Sequence, residues 1–275
     1  MNPSVVWTIA RRELREALRH KWLWAYVIGF AGLATALSGT SLAAAGYAGL
    51  GGFGRTAASL VNALLLFVPL LGLSIGAGSV AGDRERGTLL YLLSQPVSRG
   101  EVLAGKAVGA GLALMLAVVL GFTLAAAALA LGAGGDPGAF LALTAYTLLL
   151  GWAMLGIGFV VSVSSKRSAS AFGVGLLIWL GFVFLSDLGV IGVTLAFKPT
   201  PAMLLAALVA NPLQAFKLGA IFSLQSSLDV LGAVGQYATR QIGTGLPFAL
   251  AGLLVAWAAG AFGTAYVLFT RRSDL

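Results

Sequence analysis

Residues 59–96 run SLVNALLLFVPLLGLSIGAGSVAGDRERGTLLYLLSQP. From Ser59 to Gly82 no side chain carries a charge. A helix needs about 20 apolar residues to cross a hydrocarbon layer of about 30 Å, at about 1.5 Å per residue, and this run meets that length. Charges follow at once, from Asp83 to Arg86, and the chain then turns apolar again before Pro96. Leu89, Leu90, Leu92 and Leu93 supply the i, i+3, i+4 spacing of one apolar helical face. Proline disfavours helix in the residue before it, so this short helix stops there. The stretch predicts a spanning helix that leaves the membrane and bends into a short helix lying across its face.

The same length test finds further spans at Trp22 to Ala44, Ala107 to Gly132, Ala139 to Val163, Ala169 to Leu195 and Leu246 to Phe269. Composition agrees: 59% of residues are hydrophobic and 9% charged, against about 25% charged in a soluble domain. The expected fold is all-α, a polytopic membrane protein with six transmembrane helices in one domain, 1–275. Residues 1–21 form a cytoplasmic interfacial helix, 22–82 spans one and two, and 83–106 a cytoplasmic elbow. Residues 107–195 hold spans three to five, 196–245 an extracytoplasmic segment, and 246–275 span six with a cytoplasmic tail.

Of 17 lysines and arginines, six spans place 13 in one set of loops: Arg11, Arg12, Arg15, Arg19, Lys21, Arg84, Arg86, Arg99, Lys106, Lys166, Arg167, Arg271 and Arg272. The other set has Arg55, Lys198, Lys217 and Arg240. Positive loops stay cytoplasmic, so both termini are expected inside. The net charge of +8 thereby reports orientation and gives no reason to expect nucleic acid. The first apolar run, Trp22 to Ala44, exceeds the 7–15 residues of a signal-peptide core, so an uncleaved anchor is expected despite Ala43-Ala44-Ala45 and Arg11-Arg12.

Upstream, Trp7, Ala10, Leu14, Ala17 and Leu18 form one helical stripe, while Arg12, Arg15, Glu16 and Arg19 face elsewhere. Two readings remain open: a helix lying in the plane of the membrane with its arginines at anionic headgroups, or a plain basic anchor. After Pro96, Ser98 and Glu101 have capping-box spacing, which starts a helix running into span three. Residues 83–106 are thus a stiff elbow fixed to spans at both ends. It either transmits force or shields the end of the bundle.

The chain offers little chemistry. It has no cysteine and a single histidine, His20, which excludes thiolate chemistry and a multi-histidine metal site. Paired intramembrane acids are missing too, so a non-catalytic chain is expected. Gly100 to Lys106 imitates a phosphate loop, but the next residue is Ala107 and no strand precedes it. Gly49-Leu50-Gly51-Gly52-Phe53-Gly54 imitates a dinucleotide fingerprint without a βαβ unit. Gly72/Gly76, Gly78/Gly82 and Gly105/Gly109 are GxxxG pairs that let helices approach closely. Span two carries Asn62 and Pro69; Pro69 frees a backbone carbonyl and is a candidate pivot. Asp187, near the outer end of span five, either serves function or reaches the interface. In 196–245, Ala202–Ala210 and Leu213–Leu224 are each too short to cross and are expected to lie on or re-enter the outer face, where they would dock a partner or cap the bundle.

The run Gly82-Asp83-Arg84-Glu85-Arg86-Gly87-Thr88-Leu89, followed by Pro96, Ser98-Arg99-Gly100 and Gly105-Lys106, resembles the signature of permease subunits of type-2 ABC exporters. The amino-terminal helix, the six spans and Arg271-Arg272 match that family as well. The resemblance implies that the elbow is a coupling helix docked on an ATPase subunit, with Asp83, Arg84, Glu85, Arg86, Gly87, Thr88 and Leu89 at the contact. It implies a homodimer of permeases with two ATPase copies in a bacterial or archaeal plasma membrane. ATP and magnesium would bind in the partner, and no cofactor in this chain. Asn211-Pro212-Leu213-Gln214-Ala215-Phe216-Lys217 resembles the stretch before the last span of NosY-type permeases, whose transporters help to mature a copper-containing nitrous oxide reductase. That implies a periplasmic protein docked near Asn211, Pro212, Phe216 and Lys217. Four methionines and a cytoplasmic histidine give no copper pathway, so motion or another cargo is the expected output. The rival expectations are a stand-alone secondary transporter, which would need intramembrane charges or paired broken helices, and a non-transporting scaffold for an extracytoplasmic maturation factor.

Overall fold

The computed structural model describes residues 2–19, 21, 23–32, 52–130, 137–197, 200–225, 240–241 and 243–271, without the side chains of 52–59, 125–130, 137, 185–197, 201, 224–225 and 244. His20, Trp22, the outer part of the first expected span, Gly49 to Gly51, Lys198 and Arg272 lie outside the described residues, as does the side chain of Asp187.

Among the described residues the ordered elements are helical. They are α1 (Pro3–Arg19), α2 (Leu23–Gly32), α3 (Gly52–Glu85), α4 (Thr88–Leu93), α5 (Arg99–Ala130), α6 (Pro137–Ser164), α7 (Ser168–Phe197), α8 (Pro201–Val209), α9 (Pro212–Gln225) and, after a 3-10 turn at Gly243–Gly245, α10 (Leu246–Arg271). Leu60–Glu85, Arg99–Leu124, Gly138–Ser164 and Leu246–Arg271 are long and apolar enough to cross a membrane. A fifth crossing arises if α8 and α9, bent by 109° at their break, form one span. The chain is therefore multi-pass.

Close helix packing follows from glycine. A Cβ at Gly72 would stand 2.7 Å from the Gly151 carbonyl oxygen, and one at Gly76 would be 2.9 Å from the Gly158 Cα. Thus α3 and α6 meet backbone to backbone, the arrangement that small residues permit in lipid. Gly105 and Gly109 receive Ile9 and Ala10 in the same way, docking α1 on α5. The third pair behaves differently: Gly78 faces the Phe172 ring and Gly82 has room for a side chain.

Ser162 tightens the α3–α6 contact. Its hydroxyl donates to the Ala77 carbonyl (2.7 Å) and accepts from the amides of Val80 (2.9 Å) and Ala81 (2.8 Å). Pro69 has no amide to give the Leu65 carbonyl four residues back. The Trp179 indole of α7 donates to that oxygen at 3.4 Å, and α3 continues through the proline.

Two large apolar cores result, beside a smaller cluster of Ala77, Ala81, Val161 and Ala171. One gathers Leu64, Val68, Phe122, Leu150, Met154, Phe216 and Leu250. The other holds Ile9, Val80, Leu89, Val102, Phe159 and Phe269, and it roots the elbow. At the α8–α9 corner, Asn211 donates to the Phe182 carbonyl (2.6 Å) and accepts from the Leu213 amide (2.9 Å). Asn211, Pro212 and Phe216 are buried within this chain, and Lys217 is half-buried. This revises the sequence expectation: most of those residues build the corner and do not form a free surface.

Candidate functional site

The elbow begins where α3 ends. Gly87 adopts φ +72°, a left-handed conformation that costs a glycine little, and α4 starts at the next residue. On the far side of α4, the Ser98 amide donates to Glu101 (2.8 Å) and the Glu101 amide to the Ser98 hydroxyl (3.2 Å). That is the expected capping box. Glu101 also accepts the Asn2 backbone amide at 2.6 Å, which pins the start of α1 to the start of α5.

A buried ion network closes the elbow. Lys106 on α5 is 1% exposed and donates to Asp83 of α3 at 2.6 Å and to Glu13 of α1 at 2.5 Å. Asp83, itself 1% exposed, also accepts from Arg86 (2.9 Å) and from the Thr88 hydroxyl (3.0 Å). Arg86 donates further to Glu16 of α1 at 3.1 Å. Helices α1, α3, α4 and α5 are therefore joined through one charged cluster. Burial pushes the Glu13 carboxyl above its ordinary value of 4.5, opposed by the Lys106 charge. Hydrogen bonding to Asp83 holds the Arg86 guanidinium above its usual range. One ammonium serves two carboxylates, and Asp83 has the additional donors, so Glu13 is the weaker-held charge of the two.

The neighbouring motif residues bind helix ends. Arg84 donates to the carbonyls of Val163 (3.3 Å) and Ser165 after the end of α6. Glu85 accepts the Ser168 amide (3.0 Å) and hydroxyl at the start of α7. A cation at a helix C-terminus and an anion at an N-terminus both suit the helix dipole.

This placement corrects the simple contact surface expected for 83–89. Asp83 and Leu89 face inward, and Thr88 is half-buried. Leu89 alone of the first leucine pair enters the core; Leu90 is 61% exposed and Tyr91 70%. The outward surface is Glu85, Arg86, Gly87, Leu90 and Tyr91. On α1, Trp7 leaves the expected stripe and is 59% exposed, while Ile9 and Ala10 pack on α5. Glu13 was not singled out by the sequence, because spacing alone does not reveal which face of α1 meets α5. Among the described residues no group of three metal-ligating acidic, histidine or cysteine side chains is assembled. Lys106, the final residue of the false phosphate loop, is committed to Asp83 and Glu13 within a helix.

A multi-pass helical bundle with a charged elbow fits a transporter membrane subunit, and the comparisons specify which. The family described as ABC-2 family transporter protein matches residues 7–274, and the chain belongs to that family. It is similar to the probable ABC transporter permease protein NosY of Stutzerimonas stutzeri, with 35% identity over 277 residues, 97% of this chain and 98% of the relative. The probable ABC transporter permease protein NosY of Pseudomonas aeruginosa is likewise 35% identical, over 278 residues and 98% of each chain. The chain is thus a NosY-like permease of the ABC-2 type.

Proposed function

We propose that this permease couples ATP hydrolysis in a separate ATPase subunit to movement of its helices, with the elbow as the part that is pushed. The observation carrying this reading is the buried Lys106–Asp83–Glu13 network beneath exposed Leu90 and Tyr91. A force applied at α4 meets a unit tied to α1, α3 and α5, so it moves helices instead of bending a loop. Burying an exposed leucine or tyrosine on a partner contributes roughly 1.5–3 kcal/mol, enough for the pair to anchor an interface. ATP and magnesium belong to the ATPase, and this chain binds no cofactor.

The assembly we propose has two permeases, as a homodimer, and two ATPases. Each permease crosses a bacterial or archaeal plasma membrane six times, with α2 and α7 completing the set, and keeps both termini in the cytoplasm. The α8–α9 corner lies outside. A periplasmic protein would meet it through exposed residues such as Met203, the corner itself being held by Asn211. Its likeness to NosY permeases supports a role in maturing a copper enzyme such as nitrous oxide reductase, by transmitted motion or by export of a cargo other than free copper.

The test is co-purification with an ABC ATPase subunit from the same organism, co-expressed with this chain. Leu90→Asp and Tyr91→Asp leave the ion network in place and are expected to lower recovered ATPase at least about tenfold, equal to about 1.4 kcal/mol. Full recovery with both substitutions would remove the elbow from the interface.

A further inference from the structure

A cavity of about 460 Å³ lies between α1, α2, α3 and α5, with Phe172 of α7 at its side. That size suits a small-molecule pocket. Its lining along α3 comprises Leu71, Ser74, Ile75, Gly78 and Ser79, with Arg86 beyond the helix end. These positions stack on one helical face, from Leu71 to Arg86, over about 22 Å at 1.5 Å per residue. One bilayer leaflet with its headgroups has about that depth.

The lining is graded in polarity. Glu13, Glu16 and Arg86 gather at one end, Ser74 and Ser79 come next, and Leu71, Leu23 and Tyr26 line the other. Ser79 is 9% exposed and its hydroxyl has no hydrogen-bond partner among the described residues. Among the described residues both ion pairs of Arg86 use Nη2, which leaves Nη1 and Nε for an anion. Around that end stand three carboxylates, Glu13, Glu16 and Asp83, against two cations, Lys106 and Arg86. Within this ion-paired cluster the formal balance is −1.

We infer that this cavity holds one phospholipid with a primary-ammonium headgroup, of the phosphatidylethanolamine class, drawn from the surrounding bilayer. Its phosphate sits on Arg86 and its ammonium on Glu16. One acyl chain follows α3 past Gly78 toward Leu71, and the other remains in the bilayer. A lipid without the ammonium would leave Glu16 to compete with the phosphate for Arg86. Arg11, Arg12, Arg15 and Arg19 of α1 line a neighbouring groove with Trp7, which shares Glu16 with the cavity and suits anionic headgroups. The inference builds on the elbow reading only in that Arg86 and Glu16 serve both, and lipid retention is measured without any ATPase.

The experiment is native mass spectrometry of the full chain after equilibration in mixed micelles with equal phosphatidylethanolamine, phosphatidylglycerol and phosphatidylcholine. One phosphatidylethanolamine per chain is expected, favoured at least about fivefold over either competitor. Ser74→Phe fills the cavity and Glu16→Lys repels the ammonium; each is expected to cut retention roughly fivefold, whereas Glu16→Asp keeps it. Glu16 is 41% exposed at its side chain, so Glu16→Lys tests the site even if Ser74→Phe fails to fold. Equal retention of all three lipids, or unchanged retention in Glu16→Lys, overturns the inference. So does disulfide formation between two Ser74→Cys copies in native membranes, which would assign the cavity to a second copy. Full ATPase recovery in Leu90→Asp and Tyr91→Asp, with lipid retention intact, would sink the coupling reading alone.

Discussion

At the scale of single residues, Lys106 has the largest predicted effect. Removing one member of a buried ion pair leaves an uncompensated charge, at a cost of about 3–5 kcal/mol. Lys106→Met is therefore expected to lower the thermal midpoint in detergent strongly, since it strands Glu13 and leaves Asp83 with Arg86 and Thr88 only. Adding Glu13→Gln removes one stranded charge and should recover part of the loss, a coupling of roughly 0.5–3 kcal/mol in a double-mutant cycle. Additive losses would show that the pair does not interact. Glu13 has a second signature. Its native carboxyl titrates above the ordinary 4.5 because it is buried, so the native chain binds that proton more tightly than the unfolded chain. Stability from this group is complete below 4.5 and falls as pH rises through the raised native value. Melting midpoints taken between about pH 4 and 8 should show a fall that Glu13→Gln lacks. An identical slope in the variant would refute the assignment.

At the scale of elements, the α3–α6 seam holds α3, the helix that ends in the elbow, backbone to backbone against the bundle. Gly76 meets backbone atoms of Leu155 and Gly158, which cannot turn aside as a side chain can. Gly76→Ala should cost about 1–3 kcal/mol through overpacking. Gly173 of α7 has nothing within 4 Å of an added Cβ, and Gly173→Ala should be neutral or gain up to about 1 kcal/mol from helix propensity. Thermal melts of the two variants compare a crowded glycine with an open one in the same protein; equal shifts would contradict the close approach. Sequence spacing marked Gly72/Gly76 and Gly78/Gly82 alike, because a GxxxG pair carries no information about which neighbour arrives. Pro69 shows the same limit. Its freed carbonyl followed from chemistry, but the Trp179 indole that occupies it comes from another helix. A pivot at Pro69 must therefore break or carry that bond.

At the scale of the whole molecule, periodicity and apolar length revealed what one helix needs, and charge counting gives the expected threading of the helices. Ser98 and Glu101 were legible because a capping box is local. Glu13 was not, because its partner is Lys106, 93 residues away. Leu90 was assigned to the inner face by spacing shared with Leu89; a helix of 6 residues has too few turns for spacing to fix which leucine points inward. The threading itself can be tested directly, since the chain has no cysteine and any introduced thiol is unique. Tyr91 on α4 and Met203 on α8 are both exposed, at 70% and 64%. If basic loops lie inside, the elbow is cytoplasmic and the α8–α9 corner is external. A membrane-impermeant thiol reagent applied to intact cells should label Met203→Cys and spare Tyr91→Cys, and permeabilised cells should show both. Labelling of Tyr91→Cys in intact cells would place α4 beyond the reach of a cytoplasmic ATPase, and the coupling role would fall with it.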